Sequence, residues 1–450
     1  MQDFNIDNFG GKGDGSADNS SAFSAAFAAI REAGGGVLHV GPGIWATGPI
    51  ELFSRTALSI DEKALISFIP EPERYIPVFS RWEGVECYAM HPCVFASQAE
   101  DVVITGKGRL EGNGQVWWDM LKEKRRRWQA APETAVELEL ARLNGDYRSQ
   151  PGGGGGREIQ FLRPPLIQFF NCRNCRIENI SAVNSPFWTV HPVYCDGLVL
   201  SKVSITNPHE APNTDGIDID SCSNVLIEGC CVSVGDDGIA IKSGSGPDGI
   251  RVNRPSSNVT VRRCVVADGH GGIVIGSETA GGIDTVLAED CVFKGTDRGI
   301  RIKTRRGRGG HIRNLVFRNL VMENNLCPLS VNMFYRCGAD REPELFSLDA
   351  LPRNSATPRI ENIEVSHISA RQCRASAGFI AGLPESPVEG LRIADSEFST
   401  DEKSNISPNA SDMFLGLPEV KEKSFRVINA GNPEFTNVSI TGPEKPFIFY

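Results

Sequence analysis

The sequence predicts an all-β protein, a right-handed single-stranded parallel β-helix with a short N-terminal capping helix, on three observations. First, from about residue 175 one unit recurs, apolar-x-apolar-x-x-(Cys or apolar)-x-apolar, often with Gly or Asn just before it. It reads Leu198 to Ile205, Val225 to Val232, Val259 to Val266 and Val286 to Phe293, and continues more loosely as Leu315 to Met322, Ile363 to Ala370 and Leu391 to Phe398. Second, the repeat length of roughly 23 to 34 residues is that of a solenoid. Third, alternation inside each unit is the period of a strand and not of a helix. Leucine-rich repeats share the spacing, but their helical segment and asparagine ladder are missing, which leaves a β-helix whose coils stack about 4.8 Å apart.

The elements follow in chain order. Gly11, Gly13 and Gly15 are a turn signal, since no strand context supports a dinucleotide loop. Asp18 and Asn19 are placed to cap a helix running through Ala22, Phe23, Ala26, Phe27 and Ile30, which stops at Gly34-Gly35-Gly36 before the strand Val37 to Val40. A solenoid leaves its end coil open, so an amphipathic helix here would cover the core. Residues 1–50 are thus read as cap and first coils, within one elongated domain spanning 1–450. Residues 114–163 are an inserted segment beside the prospective cleft, with Trp117-Trp118, the basic run Lys122 to Arg127, Trp128, and the glycine tract Gly152 to Gly156. The plain reading of the basic run is a solvated helix face.

Charge and cysteine content narrow the chemistry. A formal net charge of -10 argues against nucleic acid as a partner, and a polyanionic substrate would need a local basic site. No apolar run is long enough to span a bilayer, and the N-terminus lacks the basic and apolar regions of an export signal. The thirteen cysteines include Cys172-x-x-Cys175 and Cys222 with Cys230-Cys231, none in a paired four-ligand zinc pattern. They read as reduced core residues, which favours a cytoplasmic location, or a periplasmic one if a signal has been removed. Neither metal nor cofactor is expected.

A second strand recurs in step with the first: Asp215 to Asp220, Asp237 to Lys242, Gly271 to Gly276 and Arg298 to Lys303. With both isoleucines of each strand inward, positions 218, 240, 274, 301 and 220, 242, 276, 303 share the outer face. Asp236 and His270 then occupy one slot on adjacent coils, Asp215 falls beside Asp237 one coil earlier, and Arg301 and Lys303 lie one coil beyond His270. Coil spacing would gather three carboxylates, an imidazole, a guanidinium and the ammoniums of Lys242 and Lys303 within roughly 15 Å. An Asp-Gly pair alone is usually a turn and an Arg-x-Lys alone a solvated face, but a fold has no need of three adjacent repelling carboxylates.

Four motifs in order, Asn213-Thr214-Asp215, Asp236-Asp237, Gly269-His270-Gly271 and Arg301-Ile302-Lys303, resemble the polygalacturonases of glycoside hydrolase family 28, whose fold is a pectin-lyase-like β-helix. The resemblance extends over most of the chain, including Phe9-Gly10 to Asp14-Gly15. It implies hydrolysis of α-1,4-galacturonosidic bonds in homogalacturonan or oligogalacturonates with inversion. Asp236 would be the general acid, Asp215 and Asp237 would deprotonate the attacking water, and His270 would help keep the acid protonated. Arg301 and Lys303 would bind the uronate carboxylate, with Asn213, Lys242, His191 and Trp188 as further substrate contacts. Crowding of the aspartates is expected to raise at least one pKa, and inverting enzymes hold acid and base about 6.5–9.5 Å apart. Arg163-Pro164-Pro165 and Ser185 to Pro192 resemble the bacterial exo-acting branch. The insertion at 114–163 would then close one end of the cleft. Three rivals stand beside this reading: a rhamnogalacturonan-type hydrolase, a calcium-dependent polyuronate lyase, and a non-catalytic β-helix that only binds carbohydrate.

Overall fold

The structure, a computed structural model, describes residues 2–128, 131–149, 156–339, 342–414, 416–417 and 419–450. Those residues fall into two compact units, one of 2–82, 86–149 and 156–236, the other of 83–85 and 237–450. Both are built from right-handed coils of parallel β-helix.

In the first unit each full coil contributes three short strands to three parallel ladders. One ladder runs from Gly36–Val40 through Thr56–Ile60, Val103–Gly106, Arg173–Glu178 and Asp196–Ser201 to Ser223–Glu228. The second ends in Ser181–Val183, Ser204–Thr206 and Cys231–Ser233. The third passes through Val94–Ser97, Ile167–Phe170 and Val190–Val193 to Ile217–Asp220. The eight-residue unit of the sequence is therefore two strands separated by two residues, the first of them in the left-handed region: Asn179, Lys202 and Gly229 in successive coils.

The end helix is Ser20–Glu32, and it buries Ala22, Phe23, Ala26, Phe27 and Ile30 as expected. Its cap differs in detail. Asn19 holds the N-cap position without capping; its amide is buried and bonds the backbone of Lys12, Ala17 and Ala46, while Asp18 Oδ1 accepts from Ser20 N at 3.0 Å. The insertion forms two helices, Gly114–Arg126 and Ala135–Leu143, the latter opened by a Thr134–Glu137 capping box. Trp117 and Trp118 are buried, whereas Trp128 is 91% exposed. Glu123 pairs with Arg126 and Arg127 on an exposed face, the solvated arrangement expected of the basic run. Lys124 instead reaches inward to the buried Glu137 at 2.5 Å and ties the two helices together. Most of the glycine tract, 152–155, lies outside the described residues.

The second unit repeats the plan. One ladder joins Asp237–Lys242, Gly271–Gly276, Arg298–Lys303, Cys327–Asn332, Gly378–Ala381, Phe425–Ile428 and Phe447–Phe449. Another runs from Ser256–Arg262 through Ile283–Glu289, where the paired short strands merge into the long His311–Glu323, Arg359–Cys373 and Val388–Thr400. One slot of these ladders holds a left-handed residue coil after coil, with Gly197 between Asn174 and Asn224 in the first unit and Thr285 between Asn258 and Asn314 in the second. Asn174 and Asn224 in the first unit, and Asn258, Asn314 and Asn362 in the second, open their strands in the left-handed region. Asparagine tolerates that backbone, and its amide can bond the coil above or below: Asn314 donates to Asp284 at 2.8 Å and Asn362 to Asn314 at 3.2 Å. Eleven of the thirteen cysteines are buried and all are free thiols, with Cys231 and Cys337 exposed. Among the described residues no helix is long and apolar enough to cross a membrane.

Candidate active site

In the first unit the site is set by the loop before Ile217–Asp220. Thr214 is buried, donates to Ala211 O at 2.9 Å and accepts from Gly235 N at 3.3 Å, so it links this loop to the turn that ends in Asp236. Gly235 permits that approach: a Cβ there would lie 2.4 Å from Ala211 O, 2.7 Å from Pro208 O and 2.8 Å from His209 O. The result is that Asp215, 3% exposed, and the half-buried Asp236 present carboxylate oxygens within 4.8 Å of one another. One water bonded to both oxygens would fit within that bound. A cation could be gripped by the same oxygens, so the donor set by itself does not decide between water and metal.

Other predicted contacts have partners inside this unit's wall. Asn213, with φ 57°, accepts through Oδ1 from Arg163 Nη2 at 2.9 Å. The buried Arg163 also donates to Pro186 O and Pro212 O, so its role is to hold the loop that carries Asn213 and Asp215. Trp188 is 4% exposed and closes a stack with Phe187 and Trp82, with ring centroids 5.1 and 4.7 Å apart along it. His191 is 1% exposed; Nδ1 accepts from the Gln168 amide at 2.8 Å, and Nε2 faces Asp220 Oδ2 at 3.5 Å. Asp220 is further held by Arg81 Nη1 at 2.8 Å. Trp188 and His191, expected as substrate contacts with wall packing as the plain alternative, are both buried in this wall. Arg81 and Gln168 were missed because both lie outside the aligned motifs.

Asp237, the next residue after Asp236 in the chain, opens the second unit. Register pairs Asp237 with Gly271, Ala240 with Val274, Val274 with Arg301, and Gly276 with Lys303, as the repeat alignment predicted. Two cations converge on its buried carboxylate, Arg301 Nη1 at 2.7 Å from Oδ1 and Lys303 Nζ at 2.5 Å from Oδ2. Burial pushes the Asp237 pKa up, but Lys303, Arg301 and Lys242 together outweigh it and hold the group well below the usual carboxylate range. The crowding expected from sequence therefore does not prevail at Asp237, which stays ionised. Arg301 and Lys303, expected to face substrate alone, also lie over the Tyr335 ring at 5.6 and 5.1 Å. Lys242 pairs with Glu278 at 3.2 Å. Burial raises the Glu278 pKa, but Lys242, Arg308 and Lys303 bring it down to about 2. His270 is half-buried and immediately precedes Gly271, the register partner of Asp237. Glu278 and Tyr335 were missed because each stands in a turn after its strand, where the repeat assigns no slot.

A carboxylate pair that can divide the roles of proton donor and proton acceptor, next in sequence to a third carboxylate held ionised, is the equipment of glycoside hydrolysis. The chain belongs to glycosyl hydrolases family 28, whose description matches residues 154–405, and it is a glycoside hydrolase of the polygalacturonase kind. A solved structure of a hyperthermoactive exopolygalacturonase from Thermotoga maritima is 33% identical, with 89% of this chain and 87% of that one covered at a TM-score of 0.76. A probable polygalacturonase of Vitis vinifera is 29% identical over 399 residues, 86% of this chain and 72% of the relative. An endo-polygalacturonase of Pectobacterium carotovorum subsp. carotovorum is 29% identical over 332 residues, 71% of this chain and 73% of the relative.

Proposed function

We propose that this hydrolase releases galacturonate units from the end of homogalacturonan or oligogalacturonate chains. The observation that carries the hydrolytic part is the Asp215–Asp236 pair, with oxygens within 4.8 Å of one another, followed directly in the chain by the ionised Asp237. Asp236 gives its proton to the leaving glycosidic oxygen. Asp215 and Asp237 orient and deprotonate the water, and His270 hydrogen-bonds near the acid. Arg301 and Lys303 hold a uronate carboxylate while remaining charge-balanced by Asp237, and Asn213 and Lys242 support the same sugar.

The exo mode is supported by the insertion. Trp118 Nε1 donates to Ser185 O at 3.1 Å, and Gly114 N donates to Asn184 O at 2.8 Å. With these bonds the helix Gly114–Arg126 walls a groove whose other side is Pro208, Glu210, Ala211 and Pro212, the loop leading to Asn213 and Asp215. The Thermotoga relative described as an exopolygalacturonase supports the same mode.

Product analysis on oligogalacturonates tests this, with Asp236→Asn as control. Monomer as the sole early product fits the proposal; a ladder of sizes means cutting in mid-chain. Proton spectroscopy of the first-formed anomer tests inversion. Products absorbing in the ultraviolet, with activity lost to a chelator, would identify the lyase rival instead. Binding without any new reducing ends would identify the non-catalytic one.

A further inference from the structure

Resting on the galacturonan reading above, we infer that Arg305 is the anchor for a substrate carboxylate, a second uronate site in addition to that of Arg301 and Lys303. Arg305 follows Lys303 by two residues, so an extended chain carries it roughly 6.6 Å further along the same side. Thr304 between them is buried, with its hydroxyl 2.8 Å from that of Thr279.

The bonding of its neighbours makes Arg305 distinctive. Arg306 meets Glu385 through two bonds of 2.6 and 2.8 Å and also donates to the carbonyls of Leu345, Ser347 and Asp349. Arg426, equally buried, is bidentate to Asp412 and donates to Pro408 O. Arg308 donates to Ser245 Oγ. Arg305 is 4% exposed, yet its Nε and Nη1 have no hydrogen-bond partner, and among the described residues no ion pair engages its guanidinium. The charged groups acting on it through space are Arg308, which repels, and Glu342, an exposed carboxylate beyond ion-pair reach; Tyr335 and Cys337 also face it.

A buried guanidinium left without a counter-ion is costly, and proteins rarely keep one unless a ligand completes it. Burial, with Arg308 adding to it, brings the Arg305 pKa down to about 10, still cationic at neutral pH. Asp237 is engaged by Arg301 and Lys303 and Glu278 by Lys242, and Glu342, which acts on Arg305 through space, makes no ion pair with it among the described residues. What the site lacks is an anion for these N–H groups. A carboxylate, taking Nη2 together with either Nε or Nη1, fits the guanidinium fork, and galacturonan carries one on every sugar.

The test is binding of trigalacturonate and of its fully methyl-esterified form to the inactive Asp236→Asn protein, with and without Arg305→Gln. We expect Arg305→Gln to weaken trigalacturonate binding by about tenfold or more while leaving the ester within about twofold, because only the acid can use the charged fork. Arg305→Lys keeps the charge and serves if the glutamine variant is unstable; it should lose about three- to tenfold on the acid and little on the ester. Equal losses on acid and ester, or a loss on the acid below about twofold, would overturn the Arg305 assignment alone. If the Asp236→Asn protein binds no trigalacturonate at all, the galacturonan reading falls, and the Arg305 site with it.

Discussion

Gly235→Ala is the sharpest probe of how the fold positions the acid. The added Cβ would sit 2.4 Å from Ala211 O, and Cβ contacts under 3.0 Å are essentially never seen, so the turn must retreat by about 0.6 Å. Pro208 O at 2.7 Å and His209 O at 2.8 Å crowd the same point, so rotation about one bond does not relieve it. The retreat moves Asp236, the next residue, away from Asp215. Catalytic groups need placement to about 0.5 Å, and a misplacement of about 1 Å can cost on the order of a hundredfold in rate. The expected result is a kcat lower by about 10- to 100-fold with KM within about twofold, measured as new reducing ends from trigalacturonate. Overpacking should also cost about 1–3 kcal/mol of stability, visible in a denaturant melt. A folded Gly235→Ala protein with kcat within twofold of the parent would refute the claim that this close approach sets the carboxylate pair.

Asp237→Asn should leave Arg301 and Lys303 buried without their shared counter-ion, and lower stability by about 3–5 kcal/mol in a denaturant titration. Its pH signature has a definite sign. Because the folded pKa of Asp237 is depressed, its contribution is present above the unfolded carboxylate value of about 3.9 and is lost as pH falls from there toward the folded value. The parent should therefore lose more stability than the variant on going from pH 4 to pH 2; equal losses would contradict the ion-pair assignment. Lys124→Ala should raise trypsin cutting within 114–149 before the core melts, since it removes the tie to the buried Glu137. Unchanged cutting would mean that the two inserted helices hold together without that tie. In the native protein, a thiol reagent should label Cys231 and Cys337 quickly and the other cysteines only after denaturation, as read by mass spectrometry of the labelled peptides.

The ladder register was legible because the two inward isoleucines of each strand leave no freedom: slipping Ile239-Ala240-Ile241 by one residue would expose both isoleucines and bury Lys242 in the core. That is why Arg301 and Lys303 could be placed on a common face from sequence. What they do there was not legible, since the engagement of both by Asp237 depends on side-chain reach and burial, which a repeat pattern does not encode. Asn213, Trp188 and His191 were assigned from local motif resemblance. Their structural partners, Arg163, Phe187 and Gln168, come from other strands and turns, and only the folded coils reveal them. The left-handed slot shared by Asn174, Gly197 and Asn224 was not legible for a simpler reason: it marks a backbone conformation, not a hydrophobic period.

The merging of the short strands into long ones in the second unit has an evolutionary consequence. Between Cys327–Asn332 and Gly378–Ala381 the chain makes its longest excursion of that unit, yet Ser330 still pairs with Phe379 and Asn332 with Ala381. Turn length is thus uncoupled from rung alignment. Mutation can lengthen, shorten or recharge the turns, and so change which sugars are admitted, while the chemistry mounted on the rungs keeps its spacing.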